Sequence, residues 1–320
     1  MPDIRKILVC GAGMMGKNIA FVFTANPAYR VAVYDIRPTD VQASLRLSLR
    51  PLIDAGALTE AELEVRLGRI AWAESLDSPL AAEADLVVEA VFEDMAVKRD
   101  TFALLEAHCR PDALFCTNSS VMSPSQISRD LTHRARFAGT HFWNPAHLIP
   151  LVEVVKSDAT SDETAEAVMA ALRSVGKKPV LCKKDVPGFI ANRMQHALWR
   201  EAISLVEHGV ADAETVDEAV RCSFGLRLPQ LGPLENADMV GLDLTWSIHD
   251  YILRDLEDSH APSPLLTQLR EQGKLGFKTG EGFQRWTPLA AAQSAQDLNA
   301  YLIRMLYANN KMEKEATHHG

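Results

Sequence analysis

The sequence has few cysteines, no long apolar run and no excess of positive charge, and each of these absences excludes a class of protein. The five cysteines are scattered without a CxxC pair, which argues against a disulfide framework and a zinc site. No apolar run approaches the ~20 residues that span a bilayer, and the first residues lack a signal-peptide pattern. A formal net charge of −9 leaves no basic surface for nucleic acid. We therefore expect a cytoplasmic protein without a metal, membrane or nucleic-acid partner.

The rest of the composition is that of an ordinary globular protein, with 320 residues of which 47% are hydrophobic and 23% are charged. Chains of this length usually divide into two cores. In the first half, short β-rich runs alternate with helical patterns, and after about residue 186 only helical patterns remain. The sequence therefore predicts an α/β domain over residues 1–185, followed by a mainly α-helical domain over residues 186–320.

Two periodicities divide the chain into elements. Near-continuous apolar runs predict parallel strands covered on both faces, at Ile7–Cys10, Val31–Tyr34, Leu86–Glu89, Leu114–Thr117, Phe137–His141, Leu151–Val155 and Pro179–Leu181. Helical patterns predict helices over 161–175, Gly188–Glu207, 213–222, 233–256 and 264–272. Residues 41–70 predict an inserted hairpin of two helices, the second of which begins with a capping box of Thr59 and Glu62.

A glycine-rich segment follows the first predicted strand. Residues 7–16 are ILVCGAGMMG, a GxGxxG pattern formed by Gly11, Gly13 and Gly16. Between a strand and a helix, this pattern places bare backbone and a positive helix end against a pyrophosphate. Asp35 ends the second strand, where a carboxylate binds the ribose hydroxyls of NAD and repels the 2′-phosphate of NADP, although the cation Arg37 follows it. The pattern alone could be an incidental turn, but this context predicts a Rossmann-type dinucleotide-binding domain with NAD as cofactor.

Four polar residues near strand and helix ends suggest a dehydrogenase. Oxidation of an alcohol needs a base for the hydroxyl proton, and a neutral histidine such as His141 suits that task. Glu153, 12 residues later, can fix the tautomer of His141 if the two strands are neighbours. Ser120 and Asn192 can hold the substrate oxygen. Each residue alone could be a helix cap or a buried hydrogen-bond partner, so the hypothesis depends on their occurring together.

In their order along the chain, these segments resemble the L-3-hydroxyacyl-CoA dehydrogenase family from Ile7 to about Trp286. The matching segments are Gly11–Gly16, Asp85–Glu93, Asn118–Ser120, His141–Pro145, Asp185–Arg193, Gly232–Leu234 and Gly276–Phe283. The resemblance implies His141 as the catalytic base, Glu153 as its acidic partner, and Ser120, Asn144 and Asn192 as substrate contacts. It implies NAD contacts at the glycines and at Met14, Met15, Asp35, Glu93, Lys98, Asn118 and Lys278. It further implies a homodimer formed through the helical domains and a place in fatty acid metabolism.

The substrate is left open between two classes. The leading hypothesis is oxidation of a 3-hydroxyacyl-CoA to the 3-keto form. The alternative is the same chemistry on a free hydroxy carboxylate, because residues 144–153 are similar to the branch that includes gulonate dehydrogenase and the pyridine-carboxylate alcohol dehydrogenases. Arg227 is either a solvated cation or a residue whose guanidinium binds a substrate carboxylate through two hydrogen bonds. The hairpin 41–70 would meet CoA in the CoA-linked members, but its mixed charges do not separate the hypotheses.

A third hypothesis is a nucleotide-binding protein that has lost catalysis. The intact set of Ser120, His141, Glu153 and Asn192 argues against it.

Overall fold

The computed structural model describes residues 3–317, with side chains as far as Tyr307. Contacts divide the chain into two units, one formed by the residues up to Asn192 together with those from Asp297 onward, and the other by Arg193–Gln296. The predicted boundary between residues 185 and 186 stays a prediction. Neither the helix over Pro288–Thr317 nor the return of the chain to the first unit after Asp297 was predicted from the sequence.

An eight-stranded sheet forms the centre of the first unit, in the order β3-β2-β1-β4-β5-β6-β7-β8. The strands are β1 Lys6–Cys10, β2 Arg30–Tyr34, β3 Ile70–Trp72, β4 Leu86–Glu89, β5 Leu114–Thr117, β6 Phe137–Phe142, β7 Leu151–Lys156 and β8 Lys178–Cys182. All seven predicted strands are present, and β3 at the sheet edge was missed because three residues are too few to show a pattern. All neighbouring strands are parallel except β6 and β7, which are antiparallel.

The helices of the first unit are α1 Met14–Phe23, α2 Val41–Ser48, α3 Arg50–Asp54, α4 Glu60–Leu67, α5 Pro79–Ala82, α6 Met95–His108, α7 Pro124–Ile127 and α8 Asp162–Ser174. The inserted hairpin thus has three helices, α2 to α4, where the sequence predicted two. The predicted capping box of Thr59 and Glu62 is confirmed at the start of α4. Ser161 caps α8, and Gly176 follows the helix in the left-handed conformation at φ 79°.

The remaining helices are α9 Ala191–Glu207, α10 Ala213–Arg221, α11 Pro233–Val240, α12 Leu242–Ile252, α13 Pro264–Glu271 and α14 Pro288–Thr317. Two predicted bounds were wrong. The helix predicted from Gly188 begins only at Ala191, because Gly188 and Phe189 adopt positive φ values of 75° and 53°. The helix predicted over 233–256 is divided at Gly241, whose φ is 103°.

Apolar side chains cover both faces of the sheet. Ile7 and Val9 of β1 lie in one buried cluster with α1, the hairpin and α8. Leu8 and Cys10 lie in a second cluster, which includes Phe102 of α6. Successive side chains of a strand point to opposite faces of the sheet, so the carboxyl ends of the strands are held rigidly between two packed layers.

The helix α14 contributes residues between 302 and 307 to the core of the first unit. Ile303 is buried, and Leu302, Leu306 and Tyr307 pack against the cluster that contains α1 and the hairpin. No helix within residues 3–317 is both long and apolar enough to cross a bilayer.

Candidate active site

The glycine-rich turn between β1 and α1 has the geometry of a dinucleotide site. Gly11 has φ +111°, and a Cβ there would lie 2.5 Å from the carbonyl oxygen of Ala90. A Cβ on Gly16 would lie 1.8 Å from the carbonyl oxygen of Gly11. By contrast, a Cβ on Gly13 would meet nothing within 4 Å. Gly11 and Gly16 are therefore required by the turn itself, whereas Gly13 leaves open space before the N-terminus of α1, where a pyrophosphate fits.

Asp35 lies just past the end of β2 and holds the turn. Its Oδ2 accepts the backbone N–H of Ala12 at 2.7 Å, and its Oδ1 accepts that of Arg37 at 2.9 Å. A carboxylate has about four lone-pair positions, so both oxygens keep capacity for ribose hydroxyls. The guanidinium carbon of Arg37 lies 5.9 Å from the ring centroid of Phe92, which places this cation over an exposed ring.

Lys98 is buried in an ion-pair cluster at the ends of β4 and β5. Its Nζ lies 2.8 Å from Glu89 Oε1 and 3.2 Å from Glu93 Oε2. Glu89 also accepts the hydroxyl of Thr117 at 2.6 Å. The sequence suggested that Lys98 contacts NAD, but its side chain is only 1% exposed and is already paired with two carboxylates. In this structure the ammonium group compensates buried charge, and a direct contact with NAD stays a prediction.

Glu93 connects this cluster to the Ser119–Ser120 turn. Its Oε1 accepts the Ser119 hydroxyl at 2.5 Å and the backbone N–H of Ser120 at 3.0 Å. Burial raises the pKa of Glu93, but the hydrogen bond from Ser119 and the charge of Lys98 outweigh it and leave the pKa below its usual range. The ionised carboxylate therefore fixes the turn that carries Ser120.

Two of the predicted residues are brought together at this turn. The side-chain amide of Asn192 donates to the backbone carbonyl of Ser120 at 3.1 Å. Asn118 accepts the backbone N–H of Phe142 at 2.9 Å, which ties the end of β5 to the end of β6. Within residues 3–317 the Ser120 hydroxyl makes no hydrogen bond, so it is available to a substrate oxygen.

His141 and Glu153 are paired in register across the antiparallel strands β6 and β7. His141 Nδ1 lies 2.8 Å from Glu153 Oε2, and both side chains are buried. Because an ionised carboxylate only accepts hydrogen bonds, this contact assigns the proton to Nδ1 and leaves Nε2 as the basic nitrogen. The sequence predicted that the two strands could be neighbours, but their antiparallel direction was not foreseen.

The Glu153 carboxylate has two further donors on its other oxygen. Oε1 accepts the backbone N–H groups of Ile190 at 2.8 Å and Ala191 at 3.0 Å, at the start of α9. Burial raises the pKa of Glu153, but the hydrogen bonds from His141, Ala191 and Ile190 outweigh it and lower the pKa below its usual range. Glu153 is therefore an anion that orients His141 and stabilises its imidazolium form.

A strained turn before α9 makes these contacts possible, and sequence reasoning missed it. Phe189 has φ 53°, a conformation that costs a non-glycine residue roughly 1–2 kcal/mol. Its ring is 2% exposed and lies 5.8 Å from the imidazole centroid of His141. The turn aims the N–H groups of Ile190 and Ala191 at Glu153. The Pro187-Gly188 pair was the available indication that a helix does not start there.

The other predicted site residues lie as follows. Asn144 is exposed in the loop after β6, and Met14 and Met15 occupy the first turn of α1. Arg227 and Lys278 are exposed and belong to the second unit. Their contacts with substrate and cofactor stay predictions.

No group of three His, Cys, Asp or Glu residues that could hold a metal ion occurs in the described part of the chain. The cysteines are free thiols. The open turn at Gly13 and the carboxylate of Asp35 are instead the features that fit a dinucleotide.

A Rossmann-type sheet with this turn and a buried His–Glu pair defines an NAD-dependent dehydrogenase. Comparison with known families agrees. The NAD binding domain of 3-hydroxyacyl-CoA dehydrogenase matches residues 6–186, and the C-terminal domain of 3-hydroxyacyl-CoA dehydrogenase matches residues 188–286. The chain belongs to the 3-hydroxyacyl-CoA dehydrogenase family, which confirms the predicted family, fold class and cofactor.

Similar proteins include enzymes named for CoA thioesters and enzymes named for a free pyridine carboxylate. A probable 3-hydroxybutyryl-CoA dehydrogenase of Bacillus subtilis is 37% identical over 285 residues, which is 88% of this chain and 97% of that protein. The 5-formyl-3-hydroxy-2-methylpyridine 4-carboxylate 5-dehydrogenase of Mesorhizobium japonicum is 32% identical over 306 residues, 95% of this chain and 97% of that protein. A crystal structure of a 5-dehydrogenase for the same pyridine compound, described as an NAD+ dependent dismutase, covers 95% of this chain and 99% of its own at 29% identity and a TM-score of 0.86.

Proposed function

We propose that this protein oxidises the hydroxyl group of a free hydroxy carboxylate with NAD, using His141 as the general base. The observation that carries the reaction is the buried contact of 2.8 Å between His141 and Glu153. When bound, NAD accepts the hydride that leaves the carbon. The hydroxyl proton passes to His141 Nε2 as the carbonyl forms, and Glu153 stabilises the resulting imidazolium. Ser120 and Asn192 hold the oxygen whose charge changes.

The inserted hairpin supports a free acid over a CoA thioester. CoA carries phosphate groups, which need available cations. Both nitrogens that Arg46 uses are 2.8 Å from the carboxylate oxygens of Glu64. Arg50 lies 2.8 Å from Asp54 and 2.9 Å from Glu60. A phosphate that displaced any of these carboxylates would then lie beside it and be repelled.

The other two arginines of the hairpin are turned inward. Arg66 donates to the carbonyl oxygen of Phe21 at 2.8 Å, and its guanidinium lies 3.7 Å from that ring. Arg69 donates to the carbonyl oxygen of Thr24 at 2.7 Å. Since the hairpin segment 41–70 contains no lysine, all of its basic side chains have partners within the chain.

The extent of similarity supports the same substrate class. The pyridine carboxylate dehydrogenase aligns with 95% of the chain and the B. subtilis CoA enzyme with 88%. The higher identity of the latter, at 37%, keeps a 3-hydroxyacyl-CoA as the second candidate, and a role in fatty acid metabolism belongs to that candidate. For the free acid we assign Arg227 to the substrate carboxylate, because its exposed guanidinium forms no ion pair within residues 3–317.

Two further features belong to the proposal. In residues 193–296, Val216 is the one buried apolar residue, whereas Trp246 and Tyr251 are 69% and 82% exposed. So large an apolar surface supports a homodimer in which a second copy covers the helical unit, and sedimentation analysis tests it. The buried free thiols support a cytoplasmic location, where thiols stay reduced.

A substrate panel tests the proposed function. NADH formation is followed with free aliphatic, sugar-derived and aromatic hydroxy carboxylates, and NADH consumption with acetoacetyl-CoA. Turnover of a free acid with none of the thioester supports the proposal. Turnover of the thioester alone selects the second candidate, and no turnover in either direction contradicts both.

A further inference from the structure

Trp143 lies two residues after His141 and contacts the same carboxylate. Its indole Nε1–H donates to Glu153 Oε2 at 3.3 Å. His141 Nδ1 donates to that same oxygen at 2.8 Å. The centroids of the indole and imidazole rings are 5.4 Å apart. The oxygen that supports the base therefore has two donors, only one of which belongs to the base.

We infer that Trp143 is a positioning residue that sets the protonation equilibrium of His141 by sharing its carboxylate oxygen. This inference rests on the proposed role of His141 as the base. A donor to an anion withdraws electron density and weakens the other hydrogen bonds that the same oxygen accepts. With the indole in place, Glu153 accepts the Nδ1–H of His141 less strongly and therefore stabilises the imidazolium form less.

The surroundings of Glu153 leave this contact as the adjustable one. Oε1 is held by the N–H groups of Ile190 and Ala191, which are backbone groups that only a substitution to proline would remove. Trp143 is half-buried, so its side chain can change without opening a cavity in the sheet core.

The titratable groups near Glu153 define what else can affect the pH profile. In the described part of the chain, His141 on β6 and Cys182 on β8 interact electrostatically with Glu153. Burial raises the pKa of the Cys182 thiol, and the charges of Glu153 and Asp185 raise it further, so the thiol stays neutral in an ordinary assay range. On α9, Arg193 is the first cation. None of these residues is altered by a change at position 143.

The test compares two variants that divide the properties of tryptophan. Trp143→Phe keeps an aromatic ring and loses the donor, whereas Trp143→Gln keeps a non-titrating N–H donor and loses the ring. For Trp143→Phe we expect the acidic limb of the kcat/KM profile for oxidation to move up by about 0.5–1 pH unit. For reduction, which needs imidazolium, the basic limb of the kcat/KM profile should also move up in pH. Trp143→Gln should keep the wild-type midpoints.

Trp199→Phe serves as the matched control, because it makes the same substitution at a half-exposed tryptophan that has no contact with Glu153 in the described structure. It should leave the midpoints of the pH profile unchanged. A uniform loss of rate in Trp143→Phe without a shift, or equal shifts in both Trp143 variants, would overturn the inference. NADH binding and thermal melting of each variant confirm that it is folded. If the wild-type enzyme shows no acidic limb, the proposed base fails instead, and the two failures are therefore distinguishable.

Discussion

The side-chain amide of Asn192 donates to the backbone carbonyl of Ser120 across 72 positions of sequence. One residue lies in the first turn of α9 and the other in the turn after β5. Each was selected from the sequence as a contact for the reacting oxygen. Their direct hydrogen bond fixes the spacing between hydroxyl and amide, so the two groups can act on one substrate atom.

The first prediction concerns the charge of Glu153. Glu153→Gln keeps the shape of the side chain but removes the anion that supports imidazolium. We expect kcat to fall about 10²–10⁴-fold, because the amide can no longer stabilise the charged base. Steady-state rates measure this, and fluorescence titration should show that NADH binding is retained. Glu166→Gln on the exposed face of α8 is the control, and equal activity of the two variants would reject the role of Glu153.

The second prediction concerns the buried cation Lys98. Lys98→Met leaves Glu89 without exposure to solvent and without its counter-ion. Removing one partner of a buried pair usually lowers the free energy of unfolding by about 3–5 kcal/mol. Urea denaturation measures this loss. The double variant Glu89→Gln, Lys98→Met should recover part of it, and a double variant less stable than Lys98→Met would show that the pair is not the cause.

The third prediction concerns Lys177, which holds the loop after β6. Its Nζ donates to the carbonyl oxygens of Ala146 and Ile149 at 2.5 and 2.7 Å. Burial lowers the pKa of Lys177 from 10.5 to about 8. Between these two values the unfolded chain binds more protons than the folded protein, so this residue makes the free energy of unfolding rise with pH.

The measurement compares urea denaturation of the wild type and Lys177→Met at intervals from pH 7 to 10.5. The difference between the two free energies of unfolding should increase with pH in favour of the wild type. Lys178→Met, at the exposed neighbouring position, should follow the wild-type curve. A difference that stays constant with pH would contradict the lowered pKa.

The fourth prediction concerns the carboxylate of the substrate. Arg227→Ala should raise the KM for free hydroxy carboxylates at least about tenfold, because a hydrogen-bonded charge pair is lost. Arg227→Lys, which keeps the charge but not the planar fork, should recover only part of the affinity. The KM for an uncharged ester of the same substrate should not change. An equal effect on acid and ester would exclude Arg227 from carboxylate recognition.

Much of the first unit could be predicted from the sequence, because local patterns encode it. Apolar runs located seven strands, and the GxGxxG motif between β1 and α1 located the cofactor turn. The partnership of His141 and Glu153 was also expected, since a base at a strand end needs an acid on a neighbouring strand. These inferences need only local periodicity and general chemistry.

The antiparallel direction of β7 could also have been inferred, because residues 143–150 between β6 and β7 are too few for the crossover that a parallel neighbour needs. Other features depend on tertiary contacts that no local pattern reveals. The positive φ of Phe189 is stabilised by the packing of its ring beside His141 and by the contacts of the following N–H groups with Glu153. The burial of Lys98 depends on its ion pair with Glu89, the one charged residue of the predicted strand Leu86–Glu89.

The return of α14 to the first unit has a practical meaning for anyone who trims this enzyme to the length of its CoA-linked relatives. Cutting the chain near Trp286 would remove Leu302, Ile303 and Leu306 from the first unit and expose the apolar surface against which they pack. The shortened protein would then aggregate through this exposed apolar surface. Loss of activity in such a protein would therefore give no information about the catalytic residues.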